Sequence, residues 1–159
     1  MSVARALGLV AVVAVVGCAH SRFALRPTET EAVVHLRAFL SYEAAYSFHN
    51  KGFFDSPACL PNPAQCLPDY PPDGPSLLSA EMAAPVPGYR KVFHPGPHPT
   101  ELTGGVSRSS IQSYSFTLEP VEAGRRWFCG DSTGRLCYSP TALVGAEGGQ
   151  CPSSCRDLP

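Results

Sequence analysis

Cysteine is the side chain with the most chemistry to offer in this 159-residue chain: Cys18, Cys59, Cys66, Cys129, Cys137, Cys151 and Cys155. A thiol can be acylated, oxidised to a disulfide, or held as a thiolate on a metal, and spacing and compartment decide among these fates. The spacings C-x6-C, C-x7-C and C-x3-C do not form two matching zinc knuckles, and there is no C-x-x-C dithiol for redox work. The chemistry expected of the later six is therefore disulfide formation outside the cytoplasm, with no metal and no cofactor. The count is odd, so one thiol needs another fate.

That thiol is Cys18. Residues 1–17 carry a single positive charge, Arg5, followed by an apolar run from Ala6 to Val16, which has the length and flanks of a signal-peptide core. The polar residues His20, Ser21 and Arg22 follow at once, so the run is too short to span a bilayer. It ends in Val15-Val16-Gly17-Cys18, which resembles the lipobox of bacterial lipoprotein precursors. The resemblance implies cleavage after Gly17, a diacylglycerol thioether on Cys18 and acylation of the new amino terminus. Three acyl chains make an effectively permanent anchor, whereas one would bind only marginally. Residue 19 is Ala rather than Asp, so by the same resemblance the outer membrane is the expected address.

Other candidate groups point to less. His94 and His98 lie in a proline-rich stretch with only Glu101 near in sequence, and read as solvated loop histidines. His35 and His49 stand roughly 21 Å apart along a helix at 1.5 Å per residue and cannot share an ion. There is no G-x-S-x-G and no glycine-rich loop opening a helix, so no catalytic residue is assigned and the chain is read as non-enzymatic. Trp127 with Arg125 and Arg126 could form an exposed aromatic and basic contact, but a tryptophan on an edge strand packed on the helix is the favoured reading. A net charge of −1 and a pI near 6.5 give no reason to expect nucleic acid as a partner.

The elements that must position these residues begin near Thr28. Thr28 and Glu31 have the spacing of a capping box, with Pro27 just before, and predict a helix over 29–49 that ends at Asn50-Lys51-Gly52. Val33, Leu36, Phe39, Leu40, Tyr46 and the intervening alanines form a broad apolar surface, which predicts a helix largely enclosed by the domain. Residues 53–88 are proline-rich and predict an irregular connection holding Cys59 and Cys66. Ile111 to Leu118 alternates as a half-buried strand does, with Tyr114, Phe116 and Leu118 on one face. Arg125–Cys129 and Arg135–Tyr138 flank a Gly-Asp-Ser-Thr-Gly hairpin turn, and Tyr89–Phe93 is a weaker fourth strand. Nearest-neighbour pairing would join Cys59 to Cys66, Cys129 to Cys137 across the hairpin, and Cys151 to Cys155. Six cysteines allow many connectivities, and an exchange between the tail pair and the loop pair is the main competitor.

The order of a helix (EAVVHLRAFLSYEAAYSF), a proline-rich connection, the strand YSFTLEPVEAG and then RRWFCGDSTGRLCY resembles the globular heads of type IV pilins and pseudopilins over about Glu31 to Tyr138. It implies an α+β fold, one N-terminal helix on a three- to four-stranded antiparallel sheet. Pilins carry a Gly-Phe-Thr-Leu-Ile-Glu-like cleavage site and a long apolar stalk; here the lipobox stands in their place. The expected organisation is a signal peptide 1–17, a lipidated tether 18–27 and a pilin-like extracytoplasmic domain 28–159, with its sheet in 89–138 and a cysteine-bearing tail 139–159. The expected function is a non-enzymatic structural or interaction module of the cell envelope, with the membrane and envelope, pilus or secretion proteins as partners. An unrelated envelope lipoprotein binding a small ligand or protein through its loops is the alternative, and a barrel or sandwich would favour it. A secreted hydrolase is a third, and would need a deep polar pocket holding His35 or His94 beside a carboxylate.

Overall fold

A computed structural model describes residues 24–102, 104–144, 146 and 148–159; Cys18 and the leader lie outside them. The first helix, α1, spans Pro27–His49. Its cap is two residues earlier than the Thr28–Glu31 spacing suggests, at Arg26, because the Glu29 carboxylate accepts from the Arg26 N–H at 2.9 Å and the Arg126 N–H at 3.2 Å. Thr28 is committed elsewhere, its hydroxyl accepting from Arg125 at 2.6 Å. Pro27 takes the first helical position, where a missing N–H costs nothing.

The buried residues of α1 are Glu29, Ala32, Val33, Leu36, Phe39, Glu43 and Tyr46, a single stripe at helical spacing. The expected enclosure is not found: Val34, Ala44 and Ala45 face solvent and Phe48 is 84% exposed. Alanine on a helix suits an exposed position as well as a packed one, which is why the alanines misled.

Five strands follow in a meander, β1 (Tyr89–Pro95), β2 (Tyr114–Pro120), β3 (Trp127–Asp131), β4 (Leu136–Ser139) and β5 (Arg156–Asp157). Each is hydrogen-bonded antiparallel to the next. The α+β class stands, with one more strand than expected, and that strand lies in the tail. Between α1 and β1 the chain is irregular except for two single 3-10 turns, Pro57–Cys59 and Pro63–Gln65, and a four-residue helix α2, Ala80–Ala83. No helix among the described residues is long and apolar enough to cross a membrane.

One face of the sheet carries Phe93, Tyr114, Phe116, Leu118 and Phe128, and α1 lies across it, closest to β3. The contact is close because β3 presents Gly130 there: a Cβ on Gly130 would stand 3.1 Å from both Leu36 Cγ and Leu40 Cδ1 and 3.0 Å from Leu136 Cδ2. The opposite face was expected to meet solvent, yet Ser115 and Thr117 are as buried as the apolar residues between them. The tail covers them, and the disulfides described below hold it there.

Gly130→Val would force methyl groups into the helix–sheet contact, and should lower unfolding free energy by about 1–3 kcal/mol in urea titrations; an unchanged midpoint would mean that α1 does not rest on β3.

Candidate functional site

The register sets Cys129 of β3 directly opposite Cys137 of β4, on the face away from α1. The two do not bond to each other. Cys129 pairs with Cys151 and Cys137 with Cys155, with Cα separations of 5.8 and 5.6 Å, while Cys59 pairs with Cys66 as spacing suggested. Nearest-neighbour pairing therefore fails for four of the six cysteines, and the exchange is between hairpin and tail, not between loop and tail. The tail returns over the outer face and brings both of its cysteines to the hairpin, so two loops of separation 22 and 18 are closed in place of two short ones. In the chain-entropy picture each such loop constrains the unfolded state by about 3 kcal/mol. As disulfides these sulfurs offer no thiolate to a metal.

Polar contacts reinforce the clamp. Asp131, buried at the end of β3, accepts from the Thr133 N–H at 3.0 Å on one oxygen and from the Cys151 N–H at 3.0 Å on the other, so one carboxylate shapes the hairpin turn and holds the tail. Gly134 supplies the positive φ that the turn needs, 83°. Arg135 donates to the carbonyls of Pro152 and Cys155 and pairs with Asp157 at 2.8 Å. Past the clamp, β5 continues the sheet beside β4.

At one pole of the molecule the start of α1 meets the β2–β3 turn. Arg126 donates to the carbonyl of Ala24 at 3.1 Å, lies 3.6 Å from the buried Glu29 carboxylate and stacks over Tyr138 at 5.5 Å. Arg125 joins Glu122 to Thr28. Arg125 and Arg126 thus bolt the beginning of the described chain to the sheet, a role that the sequence did not suggest. Trp127 is not on an edge strand against the helix: β3 is internal, and alternation sets Trp127 on the Cys129 face, half-buried, opposite Ser139.

At the other pole, beneath the end of α1, lies a buried polar cluster. Asp55 accepts from Tyr46 Oη at 3.0 Å, Ser109 Oγ at 3.1 Å and the Ser56 N–H at 2.7 Å. Asn50 donates to Ser110 Oγ at 2.9 Å and to the Phe53 carbonyl, and accepts from the Ser107 N–H at 2.9 Å. These bonds tie the helix end to residues 107–110, some 60 positions later in the chain. Glu43, one turn before Tyr46, is fully buried and neither carboxylate oxygen has a hydrogen-bond partner. Burial first, and then the negative charge of Asp55, push its pKa up to about 8. Burial and the Asp55 charge likewise hold the Tyr46 phenol well above its ordinary value.

The histidines are distributed. His94 belongs to β1 rather than to a loop, its Nε2 3.0 Å from Thr117 Oγ1, whereas His98 is the exposed loop residue expected, tethered through Nδ1 2.8 Å from the Ser110 carbonyl. His35 sits half-buried on α1 beside Leu36, Phe39 and Lys91, while His49 packs edge-on against Tyr70. Comparison with protein-family models, curated proteins and solved structures returns no match. The cluster of Glu43, Asn50 and Asp55 was missed in the sequence. Its one available signal was that Glu43 and Asn50 fall on the same stripe as Leu36, Phe39 and Tyr46.

Peptide mapping without reduction should recover Cys129 linked to Cys151 and Cys137 to Cys155, and the double variant C137S/C155S should lose about 3 kcal/mol of stability; a Cys129–Cys137 peptide would overturn the clamp. Glu43 holds its proton more tightly folded than unfolded. Its contribution to stability is therefore complete below its ordinary pKa of 4.5 and is lost as the pH rises to about 8. Glu43→Gln should match wild type near pH 4.5 and exceed it by up to about 4 kcal/mol at pH 8. Parallel stability profiles in the two proteins would show that the folded state leaves this carboxyl hydrated.

Proposed function

We propose that this chain is an exported lipoprotein, cut after Gly17 and anchored by lipid on Cys18, whose domain is a non-enzymatic structural or interaction module of the cell envelope. The single observation that carries the reading is the cysteine balance: six cysteines close three disulfides, and the seventh is the one that ends the apolar leader run in the sequence Val-Val-Gly-Cys. Three disulfides suit an oxidising compartment, which is where a signal peptide delivers its cargo. Ala19 in place of Asp favours the outer membrane over retention in the inner one.

Within that reading the domain is a lipid-tethered relative of the pilin and pseudopilin head. One long helix laid across an antiparallel meander, with a proline-rich connection before it, supports this, and a barrel or a sandwich would have spoken against it. The pole where Arg126 holds Ala24 is where a tether from Cys18 would reach the head, so the arginine bolts would set how the domain stands on its anchor. Candidate partners are envelope, pilus or secretion proteins. The buried carboxylates of Glu29, Asp55 and Asp131 all carry structural bonds, which favours a binding or scaffolding role over hydrolysis.

In cells fed an alkyne analogue of palmitate, the wild-type chain should take up label and fractionate with membranes, and Cys18→Ser should do neither; equal labelling of the two would defeat the lipoprotein reading.

A further inference from the structure

A trough of about 360 Å³ runs between α1 and β1, walled by Phe39, Phe93 and Phe116 on one side and by Pro61 and Leu78 of the irregular connection on the other. The three phenyl rings form a continuous surface, with Phe39 4.1 Å and Phe93 5.0 Å from Phe116 between centroids. At its end stands Lys91. This residue is on β1, the edge strand of the sheet, and its alternation places it on the helix-facing side between Tyr89 and Phe93.

The Lys91 ammonium donates to the carbonyls of Met82 and Ala84 at 3.2 and 3.3 Å, and sits 5.7 Å from the centre of the Phe39 ring. It has three protons, so one is left to give. Among the described residues no carboxylate lies within ion-pair distance of it. Partial burial accordingly lowers its pKa, with no anion to offset the loss of water. A half-buried cation without a counter-ion at the end of an aromatic trough is complementary to a ligand that is apolar along its length and anionic at one end.

We propose that this trough binds an aliphatic monocarboxylate, its chain against Phe39, Phe93 and Phe116 and its carboxylate on Lys91 Nζ. A single charge matches a single ammonium. The side chains lining the trough offer one polar atom, so a peptide, polar at every residue, would leave amide groups unpaired. The volume falls in the range of small-molecule sites that are mostly apolar with one or two convergent polar groups. The neutral acyl chains of a lipid anchor would fit the walls and leave the ammonium unused.

The test is photo-crosslinking of the full chain in phosphatidylcholine nanodiscs with a diazirine-bearing dodecanoic acid, against the corresponding alcohol. The acid should label peptides containing Phe39, Phe93 or Phe116 at least tenfold more than the alcohol does. Lys91→Met should abolish that preference and Lys91→Arg keep it. Ala58→Trp, which fills the trough from its exposed rim and leaves the ammonium untouched, should reduce labelling there by both probes. Circular dichroism melts confirm that each variant is folded. Equal labelling by acid and alcohol, indifference to Lys91→Met, or label confined to other peptides would each overturn the proposal, the last two pointing to the membrane or the chain's own lipid as the probe's site.

Discussion

Two disulfides from the tail to one hairpin are the constraint on which the rest of this structure depends. A single antiparallel sheet with a helix on one face ordinarily leaves its other face to water. Here Cys129–Cys151 and Cys137–Cys155 hold the tail across that second face, and Ser115, Thr117 and the four sulfurs become interior. A chain with about a fifth of its residues in proline and glycine has little regular structure with which to build a core, and covalent closure offsets that shortage. The carboxylate of Asp131 joins the clamp to the turn that positions it, so the hairpin and the tail order each other.

Polar fastening at the two ends of α1 complements the covalent one. At its start the buried Glu29 carboxylate gathers two backbone N–H groups and the Arg126 guanidinium, holding the helix to the β2–β3 turn. At its end Asn50 and Asp55 reach residues far along the chain through bonds that a shift of one helical position would break. Gly130 allows the middle of the helix to settle onto β3. The helix is thus pinned at both ends and pressed at its centre. Glu43 is the exception, a buried acid with no bond, whose neutral form the fold favours and whose ionisation works against it.

The same polar and covalent fastenings account for most of the buried charged groups of the domain. Glu29, Asp55, Asp131, Arg125, Arg126 and Arg135 hold elements together, while the surface presents an edge strand at β1, the aromatic trough beside it and the bolted pole where the described chain begins.

The amino-acid sequence by itself determined the elements: the helix to within two residues, the four longer strands through their alternation and turn chemistry, the irregular proline-rich connection and the Cys59–Cys66 bridge. These are local, set by spacing, capping residues and φ preferences within a few positions. It also held the apolar run that ends at Cys18. Only the tertiary structure decided the partners of Cys129 and Cys137, the burial of the sheet's second face, the fifth strand, and the gathering of Glu43, Asp55 and Ser109. Each of those depends on where segments distant in sequence come to lie, from 18 residues for Cys137 and Cys155 to 54 for Asp55 and Ser109, and four sulfurs meeting at one hairpin look the same in sequence whichever pairs they form. What separates the alternatives is the path of the tail, and that path is a property of the packed sheet.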